Sequence, residues 1–206
     1  MRVAPDDDST ARPRVTGDRE LEILDATIDV LAEVGYDRLT MDAVAQAAKA
    51  SKATLYRLWS SKATLVLEAL LALKDPPAAE LDTGSLRGDL LATHCGRGRL
   101  TDPRLRAVFS SIITALGHDE EFAAGFRERF IGPKIAHSRE IYRRAAERGE
   151  LRDGVDVDLV APALAGIIMH REFLLGLPPD VEAITAVVDQ IILPAALRPS
   201  LLQENA

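Results

Sequence analysis

The chain has 206 residues, 47% of them apolar and 4% aromatic, with a formal charge of −7 and one cysteine. That length suits one or two small domains with a sizeable core, and a single thiol excludes an internal disulfide framework and fits the cytoplasm. The longest uncharged runs, such as residues 159–169, are too short to span a bilayer, and Asp6-Asp7-Asp8 with no apolar core behind it leaves no visible secretory signal.

Abundant Ala and Leu, with no long period-two alternation, predict an all-α protein. Residues 1–18 are polar, Pro-containing and nearly balanced in charge, which predicts a disordered tail. Arg12-Pro13-Arg14 within it has the composition of a minor-groove arm, although an inert tail is the simpler reading. A first helix is expected over 19–34, with Leu21, Leu24, Ile28 and Leu31 on one stripe and Gly35 as its C′ residue. Two short helices follow, 41–48 and 52–58, with only Lys49-Ala50 between them. Thr40 can N-cap the first, with Asp42 near its positive end, and Ser51 can cap the second. Leu39 and Val44 hold the two places of a hydrophobic staple. So short a joint forces a steep crossing, which small Ala43, Ala45, Ala47 and Ala48 permit and which Val44 and Leu55 can pin.

A fourth helix is expected over 61–74, with a seam of Leu65, Ala69 and Leu73, until Asp75-Pro76-Pro77 stops it. Residues 76–85 then mark the expected boundary between a head, 19–75, and a body, 76–206. Body helices are expected over 86–96, before a Gly96-Arg97-Gly98 break, over 103–116, opened by Pro103, and over 119–147, bent at Gly132-Pro133. A last pair, 156–175 and 180–197, is joined by Gly176-Leu177-Pro178-Pro179, and Pro162 either kinks the first of these or marks its true start.

The two short helices carry the chemistry. With their crossing fixed, Lys52, Thr54, Tyr56 and Arg57 are left to face outward, as in a DNA-reading helix-turn-helix. Between residues 38 and 62 five basic residues meet only Asp42, a charge of +4 that leaves −11 for the remainder. Such a protein meets phosphate with one face and repels DNA elsewhere. A solvated helical hairpin with incidental basic residues is the plain alternative. Lys52 and Thr54, near the start of the second helix, are the expected base-edge readers, with Ala53 offering a methyl contact and Ser51 and Arg57 beside them. Thr40, Tyr56 and Lys62 are positioned to hold phosphate.

At these residues the chain resembles the DNA-binding domain of the tetracycline-repressor (TetR) family of bacterial regulators, from Ile23 to Leu70 without a gap. The matching features are a first helix ending at Gly35-Tyr36, then Thr40, Val44-Ala45, Ser51, Thr54-Leu55-Tyr56, Trp59, Ser61-Lys62 and Leu65. Lys49 stands where the family often has Gly, which puts a non-Gly residue at a left-handed position at modest cost. Asp42 stands where a basic residue is frequent. The resemblance implies a homodimeric, ligand-responsive transcription regulator, typically a repressor on an inverted-repeat operator in double-stranded DNA. It also implies a dimer made by the last two main helices. Here these are apolar on more than one face, and Leu164, Gly166, Ile167, Phe173, Val187, Val188 and Ile191 are the expected interface. It further implies a small-molecule pocket among the middle helices, with Phe109, Ile113, Leu116, Phe126, Phe130 and Met169 as walls and His94, His137 and His170 as polar groups. An ordinary core explains each of these as readily.

No enzyme, cofactor or metal site is expected. His94-Cys95 are sequence neighbours that point about 100° apart on a helix, so adjacency does not make them a nucleophile and base. His94, His118, His137 and His170 lack the spacing of a helical metal face, and Gly96-Arg97-Gly98 lacks the strand, third Gly and Lys of a phosphate loop. Cys95 reads as a buried inert thiol, with a redox sensor as the minority idea. Two functions compete with the ligand-responsive regulator: a sequence-tolerant architectural DNA binder, and an interaction module that has lost DNA binding.

Overall fold

A computed structural model describes residues 16–73, 82–95 and 103–202. Residues 1–15 of the expected tail and most of the expected boundary lie outside the described residues, as does the Gly96-Arg97-Gly98 break; the last three residues of the expected tail, 16–18, instead begin the first helix.

The head has four helices: α1 (Thr16–Arg38), α2 (Met41–Ala47), α3 (Lys52–Leu58) and α4 (Lys62–Ala72). α1 buries Ile23, Leu24, Ile28 and Leu31. Leu21, expected on that stripe, is 47% exposed instead. The buried arc also takes in Ile23, Thr27 and Val30, which shifts its centre away from Leu21. Gly35 interrupts the helix at φ 76, the left-handed value a C′ glycine adopts, and one more turn carries the chain to Arg38.

The body has nine further helices among the described residues. These are α5 (Leu86–Cys95), α6 (Pro103–Ala115), α7 (Glu120–Gly125), α8 (Gly132–Glu147), α9 (Val157–Val160), α10 (Ala163–Leu175), α11 (Val181–Val187), α12 (Leu193–Ala196) and α13 (Pro199–Leu202). No strand occurs among the described residues; one antiparallel bridge pairs Leu151 with Leu197. Pro162 lies between α9 and α10, so it separates two helices rather than kinking one.

Two wide π-helical turns, Phe126–Ile131 and Val188–Ile192, join α7 to α8 and α11 to α12. Each directly precedes a proline-containing first turn, holding Pro133 or Pro194. A proline has no N–H for the carbonyl four residues back. The preceding residue bonds five back instead, Gly132 N–H to Arg127 O and Leu193 N–H to Val188 O, so the helix bulges and continues. The expected bend at Gly132-Pro133 is this bulge.

The apolar side chains form two cores. The first holds the head together with α6 and α7: Leu31, Val44, Leu55 and Leu70 share it with Val108, Ile112 and Phe122. The second joins α5, α8, α10 and α11 through Leu86, Leu90, Ile141, Tyr142, Leu164, Ile168, Ile184 and Val187. Beside that core, fully buried Asp89 accepts from Thr83 N–H at 2.7 Å and Arg148 Nη2 at 3.3 Å, which ties α5 to the end of α8.

Three residues expected at a subunit interface therefore serve the subunit itself. Leu164, Val187 and Val188 are 2%, 7% and 0% exposed within the second core. An all-round apolar helix has two sides, and these lie on the inner one. Gly166 and Ile191 lie on the outer side, with Ile167 and Phe173 half-buried at its edge.

Candidate nucleic-acid interface

Thr40 Oγ1 accepts from Ala43 N–H at 3.1 Å and Ser51 Oγ accepts from Thr54 N–H at 3.1 Å, so both expected caps start their helices. Leu39, Val44 and Leu55 are buried, as the staple and the pinned crossing require. Lys49 takes the turn at φ 51, the only non-glycine left-handed residue among those described. The turn has a brace that lies 30 residues away. Arg19 Nη2 donates to Ala48 O at 2.8 Å and Lys49 O at 2.9 Å, satisfying carbonyls stranded at the end of α2. Stranded carbonyls were foreseeable from the sequence, but nothing in it marks Arg19 as their donor.

With Leu55 buried, α3 presents Lys52, Ala53, Tyr56 and Arg57 on one exposed arc, Tyr56 being 57% exposed. Ser51 and Thr40 are also exposed. Thr54 is half-buried, its hydroxyl 2.9 Å from that of Ser51. Lys52 Nζ lies 2.5 Å from Asp42 Oδ2 across the helix pair. Lys62 is turned inward relative to expectation: its ammonium donates to Tyr36 O at 3.1 Å and sits 4.3 Å from the Tyr36 ring centroid.

Behind this surface the head is fastened to the body. Tyr36 O–H donates to Asp119 Oδ2 at 2.6 Å, and Ser61 O–H to Glu121 Oε1 at 2.7 Å. Burial, then the bond to Asp119, raises the Tyr36 phenol far above its usual value. The same bond, with Phe122 N–H, holds the Asp119 carboxyl below its usual range. Trp59, which caps α3 and is 3% exposed, donates from Nε1 to Glu68 Oε2 at 2.8 Å.

The expected pocket residues divide. Phe130 stacks on Phe126 with centroids 4.9 Å apart and tilts against Phe109 at 5.9 Å, and Leu116 packs on the same core. Lys134, on α8, lies 4.7 Å from the Phe130 centroid. Burial, then the charges of His137 and Lys134, push His94 on α5 down to about 4. Ile113, Met169 and His170 are corrections, since all three face outward, the first two 39% and 47% exposed. Met169 and His170 follow Ile168, whose burial turns the next two positions of α10 away from the interior. Two surface clefts of about 380 and 400 Å³ include none of the expected pocket residues. Burial raises the Cys95 thiol, the unreactive direction. No group of three or more metal-ligating side chains occurs among the described residues.

An all-helical chain with a capped, basic helix-turn-helix set on a helical body has the construction of a DNA-binding regulator. Residues 23–69 match the model of the bacterial regulatory proteins of the tetR family, and residues 80–191 that of the tetracyclin repressor-like C-terminal domain. The chain belongs to the TetR family of transcription regulators, which are not enzymes. It is 34% identical over 197 residues to the HTH-type transcriptional regulator Rv1556 of Mycobacterium tuberculosis, covering 93% of this chain and 94% of that one. It is 36% identical over 176 residues to a DNA-binding transcriptional repressor TetR of Mycobacteroides abscessus, covering 85% and 92%. The crystal structure of the TetR family regulator SCO0332 superposes with a TM-score of 0.64 at 31% identity, covering 88% of this chain and 100% of that one.

Proposed function

We propose that this regulator is a homodimeric repressor, held on an inverted-repeat operator by two copies of α3 and released by a small-molecule effector. The observation that carries the reading is the exposed arc of Lys52, Ala53, Tyr56 and Arg57 on a short, capped helix of an otherwise acidic protein. Within it, Lys52 and Ala53 meet base edges, while Tyr56 and Arg57, with Thr40 at the start of α2, hold phosphate. Ser51 and Thr54 shape the start of the helix through their shared hydrogen bonds. Lys62 reaches phosphate by leaving Tyr36.

Dimerisation is supported by the outer side of α10 and α11. Met169, Leu174, Val181 and Ile191 are 47%, 74%, 60% and 47% exposed there, a patch that a second copy would cover. Gly166 lies among them with open space around it. For the effector we favour the region of Phe109, Phe126 and Phe130. His137 Nε2, on α8, is buried without a hydrogen-bond partner, a polar group that a ligand can satisfy. Repression follows the M. abscessus relative, itself described as a repressor. A cytoplasmic place suits DNA binding, and no described helix is long and apolar enough to cross a membrane.

Sequencing the genomic fragments captured by the purified chain, footprinting them, and screening ligands for release tests the reading. Half-site centres are expected about 34–36 Å apart, or at a comparable near-integral turn. A single unrepeated site bound by one subunit would sink the dimeric mode. A dimer that no ligand releases would favour the architectural alternative.

A further inference from the structure

Asp42 is the only acidic residue between Asp37 and Glu68, and its carboxylate lies on the leading lysine of α3. Lys52 Nζ and Asp42 Oδ2 are 2.5 Å apart, with side chains 65% and 56% exposed. A pair so open to solvent contributes little to folding. A carboxylate on a DNA-facing surface also opposes phosphate. Asp42 suits the positive end of α2, but general affinity for DNA does not account for it.

We propose that Asp42 and Lys52 act as one composite reader of a G·C base pair, with Lys52 donating to guanine O6 and N7 and Asp42 accepting from the cytosine amino group. The proposal rests on α3 being the helix that enters the major groove. Guanine O6 and cytosine N4 are joined by a hydrogen bond and so lie about 2.9 Å apart. The lysine donor and aspartate acceptor, 2.5 Å apart, face them in the complementary order. An A·T pair also places an acceptor, thymine O4, beside a donor, adenine N6. There the thymine methyl crowds the acceptor, and the second acceptor belongs to the other base. The reversed C·G pair sets acceptor against carboxylate and donor against ammonium. The pair with Asp42 also makes Lys52 less available to phosphate. Thr54 does not compete for the same edge, since its hydroxyl is engaged with Ser51 at 2.9 Å.

The test selects binding sites from a randomised duplex pool with the full chain, Asp42→Asn and Lys52→Met, and then titrates each on selected and unrelated duplexes across salt. The wild-type half-site is expected to hold one fixed G·C position. Both variants should lose preference at that position by about 10- to 100-fold while flanking positions keep theirs. Asp42→Asn should also bind unrelated duplex more tightly, with a salt slope steeper by about one per subunit as the released lysine takes a phosphate. The proposal is overturned if Asp42→Asn keeps the G·C preference, if only Lys52→Met loses it, or if Asp42→Asn weakens every sequence alike. Should Asp42→Asn fail to fold by circular dichroism, Asp42→Ser at the same exposed position takes its place in the comparison. A wild-type chain that enriches no duplex at all removes the DNA-reading function, and this proposal with it. That outcome differs visibly from a wild type whose selected site Asp42→Asn reads equally well.

Discussion

The two cores meet the solvent differently. Around the first, the surface of α3 is mostly polar: it buries Leu55 and shows solvent Lys52, Ala53, Tyr56 and Arg57. Around the second, α10 and α11 bury Leu164 and Val187 yet leave Leu174 and Val181 74% and 60% exposed. The head is finished as a surface for a charged, hydrated partner such as DNA. The outer side of the body leaves large apolar side chains in solvent, as an interaction surface does. The contrast also shows that the cores do not follow chain order, since α6 and α7 belong to the body in sequence and to the head in packing.

The sharpest way to break the contrast is Gly166→Arg. A Cβ at Gly166 meets nothing within 4 Å, so the subunit should fold with its helix content intact. In a dimer closed over that side the arginine would be an unpaired buried charge costing several kcal/mol, about 3–5 by analogy with broken buried pairs. Sedimentation velocity should show monomer at concentrations where the wild type is dimeric. An unchanged dimer would place the interface elsewhere.

Ile112→Ala probes the other side of the comparison. Ile112 lies on α6, is 1% exposed, and packs in the core of the head. Its truncation should cost about 2–5 kcal/mol in urea unfolding and lower the thermal stability of the DNA-binding surface with it. If the head kept its full stability, the first core would not be one cooperative unit.

The body has its own pH signature. In the fold His94 is held near 4, whereas in the unfolded chain it titrates near 6.5. The unfolded state therefore takes up the proton first, and stability is full above 6.5 and falls as pH drops toward 4. The loss should reach about 3 kcal/mol at most. His94→Leu should flatten the stability profile across that window, and an unaltered profile would show that His94 is not held neutral.

Lys62→Ala gives the smallest effect. Removing one phosphate contact should weaken all DNA sequences alike and lower the magnitude of the salt slope by roughly 1 per subunit. An unchanged slope would mean that Lys62 stays on Tyr36 when DNA binds.

Much of the head was legible in the sequence because its signals are local. Thr40 and Ser51 announce helix starts through contacts three residues away, and Gly35 announces a stop through its own φ. Arg19, Asp119 and Glu121 were not legible, because each works across 30 or more residues and only folding brings the partners together. In the body, periodicity found the helices but not which side of each faces inward. A helix apolar all round carries no directional signal, which is why Leu164, Val187 and Val188 were read as interface and Met169 as pocket. Pro133 and Pro194 marked the right places, but whether a helix breaks or bulges there depends on neighbours that hold it in line.

Trp59 is the one tryptophan in the chain, and it caps the helix that carries the exposed basic arc. Its indole is enclosed in the core shared with α6 and α7, and its N–H is held by Glu68. The protein thus carries an intrinsic fluorophore in the core that the head shares with α6 and α7. Loosening of the head against the body should red-shift and quench its emission, while tightening should do the reverse. No label, truncation or second tryptophan stands between that signal and the motion it reports.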